Sequence, residues 1–90
     1  MIIQKEDLVL THYNWPAEEV IAREDSAPTR RTFDRDNGIQ IIWIANWFAT
    51  ENSTFQKNDM ARLEAMISDE LPFTPLSEKT ASEWLLHAWH

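Results

Sequence analysis

Glu83, His87 and His90 stand at spacings of four and three near the end of the chain. On a helix such positions are neighbours on one face, and imidazole and carboxylate are both zinc ligands. A three-ligand metal site is therefore one chemistry that the sequence could assemble. Two observations weigh against it. The zinc-protease pattern His-Glu-x-x-His is absent, and His90 is the last residue, where a helix frays. Histidines also suit the negative C-terminal end of a helix dipole with no metal present. The expectation is no metal and no cofactor.

Other catalytic patterns find less support. The chain has no cysteine, which excludes a thiol nucleophile, a disulfide framework and a cysteine metal site. Ser26, Ser53, Ser68, Ser77 and Ser82 fall in loops, caps or helix faces, and none lies in a Gly-x-Ser-x-Gly elbow. A single glycine, Gly38, cannot build a phosphate-cradling loop. The acid pairs Glu6-Asp7, Glu18-Glu19, Glu24-Asp25 and Asp69-Glu70 are scattered, and a carboxylate pair does glycosidase chemistry only across a cleft. With every catalytic constellation missing, the chain is expected not to be an enzyme.

What remains is recognition. Arg30, Arg31 and Arg35 form the only basic cluster, either an anion contact or solvated strand residues balancing Asp34 and Asp36. Five tryptophans (Trp15, Trp43, Trp47, Trp84, Trp89) stand out in ninety residues. Trp43 and Trp84 fit a core. Trp47, Phe48 and Trp89 lie outside the cleanest inward faces, and aromatic surface of that kind marks interfaces. Trp47, Phe48 and Trp89, with the acidic Asp69 and Glu70, are thus the candidate partner-binding residues.

The net charge of −7, from eight basic and fifteen acidic residues, opposes direct nucleic-acid binding, which rests on Lys and Arg. It favours a protein partner with a basic surface. The function expected is a small acidic protein-binding module, an inhibitor or adaptor like the accessory proteins of phages and mobile elements. It would act on a basic or nucleic-acid-handling partner, in the stronger form by mimicking nucleic-acid charge. The alternative is a structural or oligomerising subunit that buries its extra aromatics against copies of itself or an obligate partner. The N-terminus offers acids where a signal peptide needs an apolar core, and no apolar run reaches about 18 residues. A cytoplasmic, membrane-free protein is expected.

The elements that must position these residues start from Asp36-Asn37-Gly38 and the apolar run behind it, Ile39 to Phe48. Isoleucines and Trp43 suit an extended backbone, and Asp36-Asn37-Gly38 can supply the positive φ of a tight turn. The main expectation is one α+β domain over 1–90, with a β-hairpin pairing about 30–35 with 39–45. A short helix over 16–24 begins at Pro16. C-terminal helices over about 56–70 and 76–89 pack as a hairpin. Ser53 with Gln56, or later Asn58 or Asp59, starts the first of these, Pro72 stops it, and Thr74 or Ser77 caps the second. The alternative is an all-α bundle in which Asp36 or Asn37 caps a buried helix beginning near Ile39.

Overall fold

The structure, a computed structural model, describes residues 3–15, 30–72 and 74–89. The helix expected over 16–24 lies outside the described residues. Among the described residues three helices carry the fold: α1 (Gly38–Glu51), α2 (Met60–Ala65, widened into a π turn over Met66–Glu70) and α3 (Glu78–Ala88). Single 3₁₀ turns lie at Lys5–Asp7 and Lys57–Asp59.

The expected α+β fold is overturned. Among the described residues there is no strand, only two isolated bridges, Asn14 with Asn37 and Thr32 with Ser77. The all-α alternative fits. Residues 39–45 belong to α1, and residues 30–35 run as irregular chain. Asn37 makes the difference locally. Its backbone is extended, and its Oδ1 accepts from the N–H groups of Ile39 (2.9 Å) and Gln40 (3.4 Å), satisfying the first free donors of a helix. No described residue has positive φ, so the expected hairpin turn does not form.

A helix that is apolar all the way round is a helix buried all the way round. Every residue from Gly38 to Asn46 is buried, and Ile41, Ile42 and Ile44 are fully so. Against this, β-branching costs little: helix propensities span about 0.7 kcal/mol per ordinary residue, while burying an isoleucine contributes about 1.5–3 kcal/mol.

Gly38 lies hard against the arm. A Cβ there would stand 2.6 Å from the Trp15 ring. Beside it, Asn14 N–H donates to Asp36 C=O (2.7 Å) and Gly38 N–H donates to Asn14 C=O (2.9 Å), so the N-terminal segment is stitched to the start of α1.

The C-terminal helices follow local signals. Ser77 Oγ accepts from Thr80 N–H at 3.2 Å and caps α3. α2 ends at Leu71-Pro72, and Leu71 N–H donates to Met66 C=O (2.8 Å), the wide i to i+5 bond of a π turn. α3 packs along α1, and the two run in the same direction. Gln40 and Glu78 meet at their N-terminal ends (3.1 Å), and Phe48 and Trp89 at their C-terminal ends (ring centroids 5.0 Å).

Candidate interaction surface

Four polar side chains fasten this body together. Gln40, buried in α1, donates from Nε2 to Thr32 C=O (2.9 Å) and Glu78 Oε2 (3.1 Å), while its Oε1 accepts from Asp34 N–H (2.8 Å). It ties the 30–35 segment and α3 to the central helix. Two backbone bonds reinforce the tie: Phe33 N–H to Leu76 C=O and Glu78 N–H to Arg31 C=O, both 2.8 Å.

Asn46, about one and two-thirds turns further along α1, holds the N-terminal arm (residues 3–15). Its Oδ1 accepts from Ile3 N–H (2.7 Å), and its Nδ2 donates to Ile3 C=O (3.0 Å) and Ile42 C=O (3.0 Å). Glu64 of α2 is 1 % exposed. Its carboxylate accepts from Val9 N–H (2.7 Å), Leu10 N–H (3.1 Å) and the Tyr13 hydroxyl (2.7 Å). Burial, together with the hydrogen bond and negative charge of Glu64, pushes the Tyr13 hydroxyl well above the usual phenol range. Tyr13 is therefore held as a neutral donor.

Arg35 takes a role that the basic cluster did not suggest. Its Nη1 donates to the carbonyls of Ile67 (2.8 Å) and Leu71 (3.1 Å), and its Nη2 donates to Pro72 C=O (2.6 Å). It caps the C-terminal end of α2, where unpaired carbonyls and the negative dipole favour a cation. Arg30 and Arg31 are exposed.

The five candidate partner-binding residues are not brought into one patch by any contact among the described residues. Phe48 is fully buried and belongs to the core, at 5.5 Å from Phe55 and 5.0 Å from Trp89 between ring centroids. Trp89 is half-buried, with the Arg62 guanidinium 4.0 Å above its ring. Trp47 is half-buried and lies about 100° round the helix from Phe48. Asp69 and Glu70 are exposed at the end of the π turn.

Glu83 and His87 are exposed on α3, His90 lies outside the described residues, and no group of three potential ligands is assembled among the described residues. A shallow pocket of about 410 Å³ opens beside Phe33, Asp34, Arg35 and Pro75, and Arg35, which lines it, donates to the carbonyls of Ile67 and Leu71. The residues that sequence reading missed are Gln40, Asn46 and Glu64. Their one signal is a polar side chain at a position that otherwise demands an apolar one. No protein family, curated protein or solved structure matches this chain.

Proposed function

We propose that this chain is a structural or interaction subunit that works by contact with another protein chain, a second copy of itself or an obligate partner. The supporting observation is the state of its tryptophans. Trp43 is 2 % exposed, whereas Trp15, Trp47, Trp84 and Trp89 are each only partly covered against the core. Tryptophan gives an interface large apolar area at low entropy cost, and its N–H seeks a partner. Val9 and Leu86 add exposed apolar side chains. On this reading the chemistry is recognition and the polar residues inside serve the fold. Sedimentation across a range of concentrations tests it. A mass above that of one chain supports self-association, and a clean monomer throughout leaves only the obligate-partner form.

A second reading, an acidic inhibitor or adaptor for a basic partner, has its own observation. Several cations are engaged within the molecule: Lys57 with Asp7 (3.4 Å), Lys5 over the Trp15 ring (4.5 Å), Arg62 over Trp89 and Arg35 on carbonyls. Glu51, Asp69, Glu70 and Glu83 face solvent. The outward field is then dominated by acid, which steers a basic surface; imitation of nucleic-acid charge is the stronger form of this reading. Pull-down from host extract at low and high salt discriminates, because capture that salt leaves unchanged rules out charge-driven binding. Among the described residues no helix is long and apolar enough to cross a membrane.

A further inference from the structure

Asn37-Gly38 is the one Asn-Gly step in the chain, and it stands where the arm meets the start of α1. An asparagine followed by glycine carries a reaction of its own. The glycine's backbone nitrogen attacks the side-chain amide carbon, and no side chain on the glycine crowds the approach. The other asparagines precede Trp15, Trp47, Ser53 and Asp59, each with a side chain in that place. In the folded chain the reaction is held off. Gly38 N–H donates to Asn14 C=O (2.9 Å), and the Trp15 ring lies so close that a Cβ on Gly38 would stand 2.6 Å from it. Asn37 and Gly38 are both buried.

We propose that Asn37-Gly38 is a self-modifying site gated by the arm: when Asn14 and Trp15 lift from Gly38, the step closes to a succinimide and reopens as aspartate or isoaspartate. The Gly38 nitrogen gives its proton to solvent base and forms a bond to Asn37 Cγ. The Cγ–Nδ2 bond breaks, and Nδ2 takes up a proton and leaves as ammonia. Water then opens the five-membered ring at either carbonyl. One water is consumed, one ammonia is released, and nothing is oxidised or reduced.

The gate follows from backbone geometry. Ring closure needs Asn37 Cβ and the Gly38 nitrogen eclipsed about the Asn37 Cα–C bond. At ψ 108° they stand well apart. The peptide between the two residues must therefore turn, and turning it swings the Gly38 N–H away from Asn14. Glycine accepts the compensating change of φ, so the helix behind it keeps its place. The side chain must turn as well, because its Oδ1 is committed to Ile39 N–H and Gln40 N–H. The products then differ. Aspartate keeps an acceptor at the helix N-cap, where the dipole favours its charge. Isoaspartate adds a methylene to the main chain between residues 37 and 38, which puts the cap and the Asn14 bond out of register. Because ammonia is lost, the step permanently marks chains whose arm has opened.

The full chain is incubated at mildly alkaline pH, folded and in urea, then digested and mapped by mass spectrometry. The map reads the amide-to-acid mass gain, and isoaspartate, at each asparagine. Asn37 should convert fast in urea and slower by about tenfold or more in the folded chain, because a reaction confined to the open form slows by the fraction open. Trp15→Ala uncovers Gly38. It should raise the folded-state rate at Asn37 relative to Asn52 of the same molecule, at a temperature where circular dichroism shows the helices intact. In the parent, which needs no variant to fold, the rate at Asn37 should rise with sub-denaturing urea less steeply than global unfolding does, since lifting the arm exposes less surface. Equal rates folded and unfolded, or no reaction at Asn37 in urea, overturn the site. A rate that tracks global unfolding overturns the gate, as does a folded Trp15→Ala chain that reacts at the parent's rate.

Discussion

Asn46 and Ile3, forty-three positions apart, are joined by two hydrogen bonds: the side-chain amide of one takes both backbone groups of the other, at 2.7 and 3.0 Å. That pairing is what an adjacent strand would have supplied. Here a helix supplies it, and the arm is held in place.

Asn46→Leu keeps the number of side-chain heavy atoms and a similar branched outline and removes the amide, leaving the buried N–H and C=O of Ile3 unpaired. Each such group costs about 1–3 kcal/mol. At about 4–8 °C per kcal/mol for a domain of this size, the melting temperature should fall by well over five degrees, as read by circular dichroism. Asn46→Asp, which keeps the acceptor for Ile3 N–H but loses both donors, should also destabilise. A leucine variant that melts like the parent would show that Asn46 does not clamp the arm.

Tyr13 is the single tyrosine, so phenolate absorbance reports on it alone. Its folded-state pKa is raised, first by burial and then by Glu64, above the unfolded value of about 10. The neutral form is therefore favoured by folding. The stability it contributes is complete below about pH 10 and is lost as pH rises towards the folded value. Phenolate should appear only as the chain unfolds in alkali. Tyr13→Phe should lower stability at neutral pH by about 1–3 kcal/mol through loss of its bond to Glu64, and should flatten the alkaline decline. Ordinary phenol titration in the folded protein would contradict this.

Gly38→Ala sets a methyl 2.6 Å from the Trp15 ring, so the ring or the arm must shift. Overpacking of this kind typically costs about 1–3 kcal/mol. In a Trp15→Leu background the penalty should shrink. Urea denaturation of the four proteins in that cycle gives the coupling, and an unchanged penalty would place the strain elsewhere.

Trp43→Ala should cost about 3–5 kcal/mol, enough to unfold much of a marginal domain. Trp89→Ala removes a half-buried ring from Phe48, Phe55 and Arg62, and should cost less. Equal losses would mean that α3 is anchored mainly by Trp89. No loss at Trp43 would place the core wrongly.

The two C-terminal helices were legible because their signals are local. Ser77 caps a helix three residues away from the N–H that it accepts, and Pro72 stops one at its own position. α1 was misread. Its isoleucines and Trp43 speak for a strand by propensity, and Gln40 and Asn46 spoil any helical stripe. Those two residues turn out to be the points where the 30–35 segment, α3 and the arm are fastened to it. Phe48, read as interface, is core because Phe55 and Trp89 cover it.

By itself the sequence determined a few local events: where α3 is capped and α2 is stopped, that no cysteine chemistry exists, and that the chain carries excess acid. Tertiary structure decided what the buried polar residues do. A cap bonds within three or four residues, so its partner is visible beside it. The partners of Gln40, Asn46 and Glu64 lie as far as thirty-eight, forty-three and fifty-five positions away, and only folding brings them within 3.1 Å. A polar side chain cannot declare, from its own position, whether it will meet water or a distant backbone. That choice is made by the packing that excludes the water.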